Sequence, residues 1–399
     1  MPVAAIFALQ TVSAFLSRLI PIVAPAMSAE FGWDGSSIGY LSAGNALGGL
    51  VVLVAGSGLL KRLGGTRVLQ WALLLGAASM ALFLHPSIIA ALLACFLMGM
   101  SNGAANPAGS EVLQRFSPPG KRNLIFSIKQ AGVPLGGMIA GLCIPVIVVT
   151  AGWRPALLCC ALLVLVPTVL TWKLSATMDV RRAPAARPLS LWAGLLQSLR
   201  TLSVPLASLT HSASLLKMSI VGSLFAVSQS CWFAFTVIYL VDGLDYSLSR
   251  AGLVFAVMQV GGVIGRVVLG WLADLLRSAT LTLSITALFS ALTTALLGLT
   301  EPGWPLWAVV ALAFVAGCSV ASWNGVQIAE LARLSPSDRI GETAAGGAIL
   351  VSAVNIVAPV TFALFVASTG RYDVAFVCVG VCTLAVLYFL PREKRAAKA

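Results

Sequence analysis

The chain has 399 residues, 59% of them apolar and only 10% charged, against about 45–50% and about 25% in an ordinary soluble domain. Mean hydropathy is +0.98; no water-soluble fold of this length hides so much apolar surface, so lipid must be the solvent. The net charge of +12 would suit a nucleic-acid partner, but the basic residues fall in alternate short loops, as membrane insertion requires, and no nucleic acid is expected.

A helix needs about 20 mostly apolar residues to cross a bilayer. Twelve stretches qualify, at roughly 4–27, 37–60, 67–84, 87–110, 124–150, 155–173, 217–240, 249–272, 280–299, 306–330, 343–367 and 374–390. One side of the membrane holds Lys61, Arg62 and Arg67, then Arg115, Lys121 and Arg122, the stretch Lys173 to Lys217, Arg277, Arg333, Arg339 and the basic tail. The other side holds Arg154, Arg250 and Arg371 among the acids Glu30, Asp34, Asp242, Asp245, Glu301 and Asp373. Both termini are therefore expected in the cytoplasm, with the chain multi-pass in a bacterial-type inner (plasma) membrane. No basic region precedes the first apolar run, so a cleaved leader is not expected. The eight cysteines lie within apolar spans and read as packing residues; no metal site and no cofactor is expected.

The longest connection, 174–216, divides the chain into an N-terminal six-helix bundle, 1–173, and a C-terminal one, 217–399, with a short basic tail. Its segment 191–202 has the pattern of a surface helix, although a plain tether explains it as well. The halves carry a repeat. Gly99, Ser101, Asn106, Leu113, Arg115, Ser117 and Pro118 recur without a gap as Gly317, Ser319, Asn324, Leu331, Arg333, Ser335 and Pro336. Gly39, Gly48 and Gly49 recur as Gly252, Gly261 and Gly262. Such an internal copy in an apolar chain points to a transporter built from two related halves.

Twelve spans, a 6+6 division and a basic central loop resemble the major facilitator superfamily (MFS). The resemblance covers nearly the whole chain and implies an all-α integral membrane fold, twelve transmembrane helices in two pseudo-symmetric halves. Gly270-Trp-Leu-Ala-Asp274 after span eight, preceded by Arg266, is similar to the family's Gly-x-x-x-Asp loop. After span two, Arg62 and Gly64 fit that loop, but Ser57 and Lys61 replace its Gly and Asp. Gly152-Trp153-Arg154 also resembles a family turn.

Charges near the bilayer centre cost at least about 2.5–3.5 kcal/mol and are functional candidates by default. Arg18 in span one, Lys129 in span five and Arg266 in span eight qualify, and no Asp or Glu sits deep in any span. Glu111 with Arg115, and Glu330 with Arg333, have the spacing of local helix-end pairs. A positive interior without a counter-ion suggests that the substrate brings the negative charge. Snorkelling of Lys129, and a bond from Arg266 to Asp274 or to loop carbonyls, are the structural alternatives.

Polar faces supply the remaining candidates. Asn102, Asn106 and Ser110 share a face of span four, and Asn324 and Gln327 lie beside Trp323 in span ten. Gln229 and Phe233 belong to span seven, Gln10, Ser13 and Ser17 to span one, and Gln130 adjoins Lys129. The family resemblance implies that spans one, four, seven and ten line the cavity; interhelical bonding is the alternative role for these amides. Arg266-Val-Val-Leu-Gly270 resembles the arginine of monocarboxylate and oxalate carriers, with Arg18 as its helix-one partner, although Gly262 stands where proton-coupled members place an acid. Val133-Pro134-x-Gly136-Gly137 falls one residue short of the drug-antiporter pattern.

The leading reading is a secondary transporter, not an enzyme, that takes up a small organic anion, a carboxylate bridging Arg18 and Arg266 with Lys129 drawing it inward. Protons remain an open coupling partner, and a monomer is expected. The alternatives are an efflux antiporter lined by Trp232, Phe233 and Trp323, and a receptor without turnover, suggested by the altered loop at Lys61.

Overall fold

The computed structural model describes residues 2–117, 122–179, 203–336 and 339–391. The expected surface helix at 191–202, Lys121 and the basic tail at 392–398 lie outside the described residues. Every regular element among the described residues is helical, as a bilayer demands, because a helix satisfies its backbone groups internally. The helices long and apolar enough to cross a membrane are Pro2–Phe31, Ser37–Ala55, Gly65–Leu84, Ile88–Phe116, Ile128–Ala151, Trp153–Met178, Ala213–Gly243, Leu248–Leu276, Ala279–Gly298, Leu306–Leu334, Ile340–Thr369 and Tyr372–Phe389. They are numbered here as spans one to twelve.

Each expected span is present, with two internal differences. Span one is two helices, Pro2–Ser17 and Leu19–Phe31. Span ten is Leu306–Val320 followed by Asn324–Leu334, with a turn at 321–323. Ser322 explains the second break in part: its Oγ donates to the carbonyl of Gly317 at 2.7 Å, out of step with the helical ladder. Among the described residues the central connection contains one further short helix, Ser203–Leu209, packed on span eleven.

The repeat is expressed as matched close packing. Within the first half, span two packs on span four: Gly48 lies against the carbonyl of Phe96, and Gly99 against that of Asn45. Within the second half, span eight packs on span ten: Gly261 lies against the carbonyl of Phe314, and Gly317 against that of Met258. A Cβ at any of the four glycines would enter the neighbouring backbone, so only glycine permits this approach. Spans one and five, and spans seven and eleven, form the corresponding second pair of contacts.

The halves meet chiefly along two seams, span two with span eleven and span five with span eight, with a smaller contact between spans one and seven. Gly39 packs against Pro359 and Ala363, and Gly252 packs against Gly141 and Pro145. Both contacts lie toward the acidic face, where Gly35 also meets Ile238, Asp242 and Tyr372. On that same face Glu30 joins span one to span six, accepting from Trp153 Nε1 at 2.6 Å and Arg154 Nη1 at 3.0 Å. Toward the basic face the halves diverge around a cavity, so this conformation is closed on the acidic side.

Candidate functional site

The kink in span one follows from Pro21. Its nitrogen cannot donate to the Ser17 carbonyl and its ring crowds that oxygen, so the helix stops at Ser17 and restarts at Leu19. Arg18 occupies the break, and its guanidinium lies 3.8 Å from the centroid of the Phe233 ring on span seven. This cation–π contact joins the two halves across the cavity wall.

The cavity has a volume of about 550 Å³ and runs from Arg18 and Pro359 to Leu331 and Ala344 near the basic face. From the first half, Arg18, Asn102 and Asn106 line it; from the second, Gln229, Trp323, Asn324 and Gln327 do. These expected residues are thus brought together. The Asn102 Oδ1 accepts from Ser13 Oγ at 3.5 Å. Gln229 Nε2 donates to the Val320 carbonyl at 3.3 Å and to Asn324 Oδ1 at 3.5 Å. Gln327 Nε2 donates to the Met218 carbonyl at 3.2 Å. Trp323 stacks on Phe225, with centroids 5.4 Å apart, and its buried Nε1 has no hydrogen-bond partner.

Three expected residues do not line the cavity. Lys129 is 2% exposed and does not snorkel; its Nζ donates to the Asn106 carbonyl at 2.9 Å, Ser110 Oγ at 3.0 Å and Asn106 Oδ1 at 3.2 Å. Gln130 is not part of the cavity wall, but its carbonyl accepts from Arg266 Nη1 at 3.4 Å. The other Arg266 nitrogen, Nη2, donates to the Ala321 carbonyl at 3.5 Å, an oxygen made accessible by the turn in span ten. Arg266 therefore ties spans five, eight and ten together and is not bonded to Asp274. None of the ion pairs among the described residues includes Arg18, Lys129 or Arg266.

Trp232, expected as aromatic lining, turns away into the second half, where its Nε1 donates to Thr294 Oγ1 at 2.9 Å. Gln10 and Ser17 of span one do line the cavity, and Gln10 Oε1 is buried without a partner. Sequence reasoning missed Asn45 and Asn355, which complete the wall from spans two and eleven. Each is a lone amide inside an apolar run, and that was the available signal.

The expected gating residues sit at the basic face. Glu111 pairs with Arg115, and Glu330 accepts from Arg333 at 2.6 and 2.7 Å. Gly64, at φ 89°, turns the chain into span three in a conformation that favours glycine. Arg62 beside it is exposed. The carboxylate that the loop lacks at Lys61 comes from elsewhere: Asp179, just past span six, accepts from the backbone nitrogens of Thr66 and Arg67, each at 3.1 Å. Two orphan donors of a helix start are thereby satisfied. After span eight, Gly270 has open space around its Cα and Asp274 makes no comparable cap.

A helical chain with twelve candidate spans, built of two matched halves around an amide-lined cavity with one free-edged arginine, has the architecture of a multi-pass membrane transporter. Residues 6–359 match the profile of the Major Facilitator Superfamily, and the chain belongs to that family. It is 27% identical over 274 residues to the 4-hydroxybenzoate transporter PcaK of Pseudomonas aeruginosa, a match covering 63% of this chain and 61% of that protein. It is 26% identical to the gallate transporter of Pseudomonas putida, over 63% of this chain and 60% of that one. A probable sulfoacetate transporter, SauU of Cupriavidus necator, is 24% identical over 95% of this chain and 91% of its own. The chain thus spans less than two thirds of the first two relatives and most of the third. The fold is also that of a peptide transporter, POT, solved in complex with sulfate: TM-score 0.77, 17% identity, 98% of this chain and 93% of that one.

Proposed function

We propose that the chain is a secondary transporter that takes up a small organic anion, a carboxylate, by rocking its two halves about the central cavity. The observation that carries this reading is Arg18. Its guanidinium stands in the cavity wall, one face against Phe233, and no carboxylate among the described residues is bonded to it. Stacking occupies the face of the guanidinium and leaves its N–H edges free, and those edges match a carboxylate with two parallel hydrogen bonds. Three relatives named for 4-hydroxybenzoate, gallate and sulfoacetate transport support an anionic substrate. The basic loops on the side where the cavity opens support an inward-facing conformation with cytoplasmic termini, in an inner membrane.

In this reading Arg18 receives the carboxylate and the wall amides complete its shell. Arg266 joins the anion after the halves rock, since here its guanidinium is engaged by the Gln130 and Ala321 carbonyls. Lys129 acts from behind the wall. A carboxylate carried as the acid, or exchanged for another anion, needs no acidic residue in the protein; a monomer suffices for the cycle. The efflux alternative loses part of its aromatic lining with Trp232 buried elsewhere.

The test is uptake of radiolabelled 4-hydroxybenzoate, gallate and sulfoacetate into vesicles carrying wild type, R18K or R18A. Losing a charged hydrogen-bonding partner worth about 1.5–3 kcal/mol predicts uptake about 10- to 100-fold lower in R18A. R18K should fall between, because an ammonium lacks the planar fork. Equal uptake by all three proteins would remove Arg18 from the site.

A further inference from the structure

We propose that Lys129 is a positioning residue: its ammonium takes the side-chain oxygen of Asn106 and thereby turns the NH2 of that amide into the cavity as a donor for the anion. The inference rests on the transport reading above and assigns a role to a residue that never touches the cavity.

The geometry leaves little freedom. An ammonium has three N–H groups and no acceptor capacity. Lys129 Nζ meets three oxygens, the Asn106 carbonyl, Asn106 Oδ1 and Ser110 Oγ, all within 3.2 Å. Every ammonium proton therefore has its own neutral acceptor. Because lysine can only donate, the Asn106 amide must present oxygen toward it, and its NH2 points the other way. Asn106 is in the cavity wall, so that other way is the substrate's side.

Among the described residues no acid is paired with Lys129. Glu111 is next in sequence to Ser110 but pairs with Arg115. Spans one and eight pack against span five; among the described residues span eight brings the cation Arg266 to the neighbouring Gln130 carbonyl, and Arg154, on span six, is paired with Glu30. Space for the lysine stem comes from Gly109, where a Cβ would stand 3.0 Å from Lys129 Cε. The repeat shows this as a specific departure of the first half. Gly109 corresponds to Gln327, which fills the equivalent gap with its own side chain against Gly222 and the Met218 carbonyl. One half uses a local amide; the other leaves a hole and reaches into it with a charge from span five.

The consequence is selectivity. A cavity offering the Asn106 NH2 as well as Arg18 favours a carboxylate over its carboxamide. With Lys129 removed, the amide is free to rotate and offer its oxygen, which repels a carboxylate.

Two measurements on the purified full-length protein test this. In the first, asparagine side chains are labelled with nitrogen-15, the Asn106 NH2 signal is assigned by its loss in N106A, and its exchange with water is followed without ligand. Fast exchange in wild type and altered exchange in K129M are expected; an NH2 protected from water in wild type would overturn the proposal. In the second, 4-hydroxybenzoate and 4-hydroxybenzamide binding are compared in wild type, K129M, N106A and the double variant. Each single variant should weaken carboxylate binding by about tenfold, the loss of one charge-assisted bond, and the double variant no further. K129Q, neutral but still donating to Asn106, should bind better than K129M. Losses that multiply to about 100-fold, or K129Q as weak as K129M, would show that Lys129 acts through its charge alone and defeat the proposal. If wild type binds no carboxylate while the exchange result holds, the transport reading fails and the positioning role stands.

Discussion

Arg18 and Phe233 belong to opposite halves of the molecule, and the guanidinium of one lies 3.8 Å from the ring centroid of the other. The contact holds the Arg18 guanidinium in place in the cavity wall and contributes to keeping the halves in their present relation. A cation–π contact of this kind is worth about 0.5–2 kcal/mol. F233A should therefore shift the balance between inward- and outward-open forms by about two- to thirtyfold, read by a distance probe between spans one and seven. An unchanged distribution would mean that the ring serves packing only.

Arg18 reaches the wall because Pro21 breaks span one. P21A restores an N–H to bond the Ser17 carbonyl and should leave thermal stability equal or higher, since a helix-interior proline costs about 3 kcal/mol. Straightening the helix rotates Arg18 relative to the cavity, so carboxylate uptake should fall toward that of R18A. Stability gained without loss of uptake would show that the kink is dispensable.

The four matched glycines predict a sharp positional contrast. Gly48 abuts the Phe96 carbonyl, whereas its neighbour Gly49 has its nearest atom at 3.6 Å from an added Cβ, an ordinary contact. G48A should destabilise by about 1–3 kcal/mol through overpacking, G49A should be nearly silent, and G261A should reproduce G48A. Thermal unfolding in detergent separates the three.

Asp179 predicts a stability effect far from the cavity. D179A removes a carboxylate that accepts from Thr66 N and Arg67 N and should cost about 1 kcal/mol, while D179N keeps much of the cap. Uptake measured at a temperature where both variants are folded should be unchanged. A large loss of uptake in folded D179A would promote this cap from scaffold to gate.

Spans, halves and the repeat were legible because bilayer thickness and glycine packing act through composition and constant spacing. The faces carrying Asn102, Asn106, Asn324 and Gln327 were legible for the same reason, helical periodicity. What escaped depends on pairings across the fold. Asp179 caps span three from 113 residues away, and nothing near residue 64 announces it. Trp232 and Phe233 are adjacent, yet one faces Thr294 and the other the cavity, a matter of helix rotation. Lys129 looked like a substrate ligand because charge in a span is rare; its direction, toward span four, depends on a gap left by Gly109. The break in span ten carries no proline and so gave no sign.

The seams formed by Gly39 with Pro359 and by Gly252 with Pro145 bear on how the molecule moves. Neither proline has an N–H to give, and neither glycine has a side chain to interlock. Two rigid bodies meeting at such points behave like surfaces on a smooth bearing, free to roll without first tearing a latch. In the rocking cycle proposed above, the barrier to turnover would then reside in the polar straps, such as the one from Arg266 to the Gln130 carbonyl, and in the cargo, which would set the timing of each cycle.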